Sequence, residues 1–201
     1  MEKWQPCAPY LWLMVRGISL LSCGTCRITG GCLTDFPLGP NESARLRVLH
    51  ASGMVHGPAI PALDALCQET MRHFGVKSAI VTLLDTDVQI FKGKAGIAGE
   101  TTPRSSAFCN HTILEDRVFV VPDALADEKF ANNPFVTGAP FLRFYAGAPL
   151  VFQEEVRLGA LCLIDPAPRG FSRGDRAELL ERADRAVNLI ASHWFELDGH
   201  R

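Results

Sequence analysis

Past about residue 40 the chain switches between two hydrophobic periods. In PAIPALDALCQETMRHFGV, the residues Leu63, Leu66, Cys67, Thr70, Met71 and Phe74 recur at steps of three and four, and Gly75 ends the run. That spacing predicts an amphipathic helix. NESARLRVLHASGM before it also reads as helical, giving one helix or two in series. The period then drops to two. SAIVTLLDTDVQIFKGKAG holds two β-rich runs around Asp85, Thr86 and Asp87, which predicts a hairpin. A short helix from Ser106 to Leu114 and a strand from Val118 to Val121 come next, followed by a loop punctuated by Pro122, Pro134, Gly138 and Pro140. FLRFYAGAPLVF and VRLGALCLID predict a second hairpin, joined by a polar turn at Gln153 to Glu155. Ser172, with Asp175 three positions on, opens the last helix as a capping box does. In it Leu180, Ala183, Val187, Ile190 and Trp194 make one apolar stripe, and Glu178 with Arg182 and Glu181 with Arg185 are expected to brace the wet face.

The order is helix, hairpin, loop-rich insertion, hairpin, helix. Strand and helix do not alternate, so a doubly wound parallel sheet is not expected. The predicted fold class is α+β: an antiparallel central sheet of about five to six strands, with the N- and C-terminal helices on one face. The loop and short-helix insertion from Gly96 to Leu142 must then cover the other face. An apolar sheet face roofed by loops is where a small-molecule cavity forms.

Composition narrows the function. A chain of 201 residues with 47% hydrophobic and 21% charged residues is an ordinary globular one, long enough for one well-buried core. Lys plus Arg number 20 against 22 Asp plus Glu, with no run of like charge, so no electrostatic footprint for nucleic acid is present. The apolar stretch PYLWLMVRGISLLSC is cut by Arg16 into halves too short to span a bilayer, and no membrane partner is expected. Residues 1–40 read as a poorly ordered extension, and 41–197 as the folded domain. Seven cysteines, four crowded into the first 32 residues and three scattered beyond, read as reduced thiols in a cytoplasmic setting. The C-x-x-C in CGTCRITGGC lacks a second pair or a nearby histidine and is a weak zinc signal.

Several residues carry chemistry in principle. Arg143, Tyr145 and Gly147 alternate with Leu142, Phe144 and Ala146, so one strand face is polar. Facing the loops, Arg143 would bind a carboxylate or phosphate, and Tyr145 would stack and hydrogen-bond. The competing expectation is that Arg143 pairs with Asp123 or Asp165. Asp123, after Pro122, is first of all the N-cap of a short helix. Asp127, four residues on, is close enough in sequence to share a metal or a proton with it, although no histidine ligand set accompanies them. Cys109 and His111 are two positions apart; on a helix they point about 200° apart, so the expected roles are a small buried thiol and a polar imidazole. Arg169 is expected to anchor the turn after Asp165.

FCNHTI, VVPDALADEKFANNPFVTG, FLRFYAGAPL and LGALCLIDPAPRGFS, in this order, resemble a GAF domain of the bacterial sensory type across residues 42 to 195. The resemblance implies a non-catalytic, small-molecule-sensing regulatory domain in signal transduction. It implies a ligand held among Phe108, Cys109, His111, Asp123, Asp127, Phe130, Arg143, Tyr145 and Asp165. It leaves the ligand or cofactor open, since such domains bind cyclic nucleotides, tetrapyrroles and other small molecules. It also implies histidine kinase or diguanylate cyclase modules as partners, and a homodimer through the terminal helices. The alternative within the resemblance is a thiol-dependent reductase of the free methionine sulfoxide type acting through Cys109. In that variant the second cysteine falls in a segment matching PFLRFYAG, which has none.

Overall fold

The computed structural model describes residues 36–57, 59–152 and 156–198. Most of the expected N-terminal extension, the CGTCRITGGC motif and the Gln153 to Glu155 turn lie outside the described residues. Six strands form one antiparallel sheet in the order β3-β2-β1-β6-β5-β4. These are β1 Ser78–Leu84, β2 Val88–Ala95, β3 Thr101–Pro103, β4 Phe119–Val121, β5 Phe144–Val151 and β6 Arg157–Asp165. The helices are α1 Glu42–Ala51, α2 Pro61–Phe74, α3 Cys109–Thr112, α4 Pro134–Thr137 and α5 Arg173–Asp198.

The two expected hairpins and the terminal helices are present, and the fold is α+β as expected. The first helical region is two helices; α2 starts with Pro61 at its first turn and stops at Gly75, whose φ of 59° is the left-handed cap a glycine supplies. The short helix expected over Ser106 to Leu114 is a 3-10 turn, Arg104–Ser106, followed by the single turn α3. No helix follows Asp123: its carboxylate accepts from Leu125 N at 3.2 Å and so closes a turn.

All seven residues of β1 are buried, because the sheet is covered on both sides. On one side Leu63, Leu66 and Cys67 of α2 and Leu179, Ala183, Ala186 and Ile190 of α5 meet Val81, Leu83, Leu161, Leu163, Phe144 and Ala146. On the other, Ile80, Leu84, Cys162 and Tyr145 face the roof residues Phe108, Ile113, Phe130 and Val136. Gly93 sets how close α2 comes: a Cβ there would lie 2.5 Å from Leu63 Cβ and 2.9 Å from its carbonyl oxygen.

The buried stripe of α5 runs through Leu179, Ala183, Ala186 and Ile190, rotated from the expected one, with Leu180 and Val187 at its edge. The acid-base pairing also differs. Arg182 and Arg185 reach across to Glu69 of α2, at 2.7 and 2.9 Å, and Glu178 pairs with His73 of α2. Ser172 and Asp175 make the reciprocal capping box, at 2.7 and 3.1 Å.

The roof is pinned by Arg104, which is 1% exposed. Its Nε donates to Asn110 Oδ1 at 2.9 Å, and its Nη1 donates to Glu42 Oε1 and to the Asp85 carbonyl, each at 2.7 Å. Its guanidinium also lies 4.8 Å from the Phe36 ring centroid. Arg45 donates to the same Glu42 carboxylate at 2.7 and 2.8 Å. Burial alone would raise the Glu42 carboxyl, but the hydrogen bonds and charges of Arg45 and Arg104 outweigh it and hold the group at about 2.

Two outcomes are expected. Glu42→Gln, which leaves Arg104 buried without its counter-charge, should lower unfolding free energy by about 3 kcal/mol at neutral pH in urea titrations. The folded value lies below the ordinary 4.5, so this stabilisation is complete above about 4.5 and disappears as pH falls toward 2; wild type and variant should converge there. Gly93→Ala should cost about 2 kcal/mol by forcing α2 off β2, read as a lower urea midpoint.

Candidate functional site

Beneath the roof, on the sheet face away from α2 and α5, lies a cavity of about 70 Å³. Alternation along the inner strands decides which side chains reach it. In β1, Ile80 and Thr82 line the cavity while Ala79, Val81 and Leu83 belong to the helix-side core. Cys162 of β6 is paired with Ile80 on one side and with Gly147 of β5 on the other. Tyr145 of β5 takes the same face. Gly147 makes room for this, since a Cβ there would collide with the Tyr145 hydroxyl and with Thr112 Oγ1.

The roof contributes the rest. Cys109 and Thr112 are three apart on α3 and so share the face that looks at the sheet. Asn110 on the same turn is tied to Arg104 through its side chain, and its Nδ2 donates to the carbonyls of Arg104 and Ala107. Cys109 Sγ lies 3.0 Å from Cys162 Sγ. The Tyr145 hydroxyl is 3.3 Å from Cys109 Sγ, 3.6 Å from Cys162 Sγ and 2.7 Å from Thr112 Oγ1. Thr82 Oγ1 lies 3.5 Å from Cys109 Sγ and 3.2 Å from the Ala160 carbonyl. Five side chains thus form one buried chain of hydroxyls and thiols.

Burial by itself would push the Cys109 thiol up, but donors from Cys162, Thr82 and Tyr145 overcome it and bring the thiol below its ordinary value. Cys162 goes the other way, raised by burial and by its hydrogen bond to Cys109. Burial likewise raises Tyr145, which remains a neutral donor.

One more polar group faces the cavity. Gln89, 7% exposed, donates from Nε2 to Thr102 Oγ1 at 3.2 Å and leaves its Oε1 buried without a partner. A buried acceptor without a partner costs about 1 to 3 kcal/mol, so a donor brought to this atom would be stabilising. The remaining lining is apolar, with Phe91, Ile97, Phe135 and Leu142 among it.

Of the residues named from the sequence, Phe108, Cys109 and Tyr145 line this cavity. Phe130 stands behind the wall, stacked on Phe108 with ring centroids 4.3 Å apart. His111 points away from Cys109, as their spacing requires; its ring lies 5.5 Å from Phe119 and 5.1 Å from Phe130. Burial and the nearby Lys129 lower its pKa, against a weaker pull from Asp127. Arg143 forms a two-pronged pair with Asp123, at 2.6 and 2.7 Å, and so lies outside the lining. Asp127 accepts from Lys129 N at 2.9 Å and closes its own turn. Asp165 accepts from Lys77 N and Ala167 N and stands 3.5 Å from Arg169, which also donates to the carbonyls of Phe74 and Gly75. Thr82, Thr112, Gln89 and Cys162 were not singled out.

A family model described as GAF domain matches residues 58–190. The chain is 35% identical over 151 residues to a cyclic di-GMP phosphodiesterase from Pseudomonas aeruginosa; the match covers 75% of this chain and 26% of that protein. Among solved structures, the GAF domain of an Acinetobacter phosphoenolpyruvate-protein phosphotransferase superposes with a TM-score of 0.56 at 17% identity, covering 77% of this chain and 95% of that one. Free methionine-R-sulfoxide reductase from Neisseria meningitidis, solved with its substrate, gives 0.54 at 17% identity, covering 78% and 93%. The blue-light absorbing form of the Thermosynechococcus elongatus PixJ GAF domain gives 0.52 at 15%, covering 77% and 92%. At those identities the three structures share its fold. With this sheet order, this roof and a family match that spans about two thirds of its length, the chain belongs to the GAF domain family.

Proposed function

We propose that the domain is a non-catalytic, small-molecule-sensing regulatory module of bacterial signal transduction that works in the cytoplasm. Its input is the cavity under the roof, and its output is the pair of helices α2 and α5 on the opposite sheet face. The observation that carries this reading is a largely apolar hollow holding one buried acceptor, Gln89 Oε1, that the fold leaves unanswered. A ligand that donates there and touches both roof and sheet would favour one roof position. Through β1 and β6, whose side chains pack on both faces, that preference reaches α2 and α5. A dimer mate bundled against these helices, or an attached kinase, cyclase or phosphodiesterase module, would read it. Support for such an arrangement comes from the Pseudomonas relative, of whose length this chain spans 26%. Among the described residues no helix is long and apolar enough to cross a membrane.

The cavity also limits the ligand. At about 70 Å³ it is about half the ~150 Å³ that accommodates benzene in an engineered apolar cavity. In this arrangement it suits a very small molecule, and a cyclic nucleotide or tetrapyrrole would need the roof to lift. A second reading, a thiol-dependent reductase acting through Cys109, gains one observation: Cys162 supplies a second sulfur 3.0 Å away, which PFLRFYAG does not. The size of the cavity weighs against it, since an amino-acid substrate does not fit.

Xenon, an apolar atom, serves as the probe. Under xenon pressure, amide resonances of Ile80, Thr82 and Cys162 should shift, and so should those of Leu179 to Ile190 on α5. Shifts confined to the cavity would overturn the relay to the helices, and no shift at all would overturn the cavity as an input site. Cys109→Ser should keep the xenon response under the sensing reading, while the reductase reading requires that wild type reduce free methionine sulfoxide and that the variant lose this turnover.

A further inference from the structure

The sequence separates Cys109 and Cys162 by 53 residues, yet the fold sets their sulfurs 3.0 Å apart, both as free thiols and both buried. One belongs to the roof and the other to the centre of the sheet. The same cavity opens on both. Three donors converge on Cys109 and favour its thiolate, while Cys162 keeps its proton. A nucleophile and a protonated second thiol in contact are what two-step dithiol oxidation requires. The third described thiol offers a contrast. Cys67 lies in the helix-side core and burial, the largest influence on it, pushes it up to about 12.

We infer that Cys109 and Cys162 form an oxidation site for a small hydroperoxide, such as hydrogen peroxide, admitted to the cavity, and that they close to a disulfide. The peroxide has O–H donors for Gln89 Oε1 and is small enough for the space. The Cys109 thiolate attacks one peroxide oxygen; the O–O bond breaks, and the departing hydroxide takes a proton and leaves as water. Cys109 has then lost two electrons and is a sulfenic acid. The Cys162 sulfur attacks the Cys109 sulfur, the S–O bond breaks, and the hydroxide leaves as a second water with the Cys162 proton. Two thiols and one hydroperoxide thus give one disulfide, one water and one water or alcohol. The sulfurs need to approach from 3.0 Å to about 2.05 Å, a movement of about 1 Å. The bond would staple the roof to the sheet, which makes it an input to the proposed sensor. In that respect the inference rests on the sensing reading.

The test uses the full chain, reduced, exposed to hydrogen peroxide, then alkylated in denaturant and mapped by mass spectrometry. A linked pair of peptides carrying Cys109 and Cys162 is expected, with both thiols lost to alkylation, Cys67 still alkylated, and the link reversed by dithiothreitol. Cys162→Ser should leave a Cys109 sulfenic acid that dimedone traps. Tyr145→Phe, which removes one donor to sulfur, should move the pH midpoint of Cys109 alkylation upward. A bulky hydroperoxide such as cumene hydroperoxide should react at least about tenfold more slowly, given the size of the cavity. If Cys109 and Cys162 stay alkylatable after peroxide, or if both peroxides react equally fast, the inference is overturned, while the xenon response still decides the sensing reading. Hydrogen exchange over residues 104–142 separates the two in the other direction: a disulfide that leaves this exchange unchanged would keep the oxidation site and end the claim that it signals.

Discussion

A sheet covered on both faces leaves no water for the polar atoms of its inner strands. β1, β5 and β6 lie between a helix layer and a roof, so the hydroxyls and thiols on the roof side must find their partners within the protein. Thr82, Cys109, Cys162, Tyr145 and Thr112 do so as one connected chain. Its chemistry follows from that confinement. Burial pushes both thiols up; two hydroxyls and the neighbouring thiol bring Cys109 back below its ordinary value, while Cys162 stays above its own. Gln89 Oε1 is the acceptor that this mutual arrangement does not reach.

The roof keeps its place by different means. It contains little regular structure, and its side-chain and backbone bonds converge on a few polar residues. Arg104 joins α1 through Glu42, the β1–β2 turn through Asp85, and α3 through Asn110. Asn133 caps α4 by accepting from Phe135 N at 2.9 Å and also donates to the Ser106 carbonyl at 3.0 Å. These links tie the segment that carries Cys109 to α1 around the end of the sheet.

The fold was legible where burial is one-sided and periodic. The run Leu63, Leu66, Cys67 and Thr70 located α2, and the capping box at Ser172 located the start of α5. In α5 apolar residues occur in adjacent pairs, Leu179 with Leu180, Ala186 with Val187, Leu189 with Ile190, so two stripes fit the sequence equally well and packing against the sheet selects one. Arg143 with Asp123 was legible as a pair because both belong to polar positions beside a turn. Arg104 was not, since an arginine in TTPRSSA gives no sign that the fold buries it. Cys162 sits in the predicted strand VRLGALCLID, where nothing marks it out. In a strand buried on both faces, apolarity carries no parity signal, and only the pairing with Ile80 and Gly147 tells which face it takes.

Two hydroxyls beside the sulfurs each have a fallback. Thr82 has the Ala160 carbonyl at 3.2 Å, and Tyr145 has Thr112 at 2.7 Å. Each O–H can swing about its own C–O axis from sulfur to oxygen without any backbone shift. Loss of charge or of an acceptor lone pair at sulfur therefore strands no donor, and the desolvation penalty of about 1 to 3 kcal/mol for an orphaned group is avoided. The interior can host sulfur in more than one chemical state at nearly level cost, with two rotors absorbing the difference.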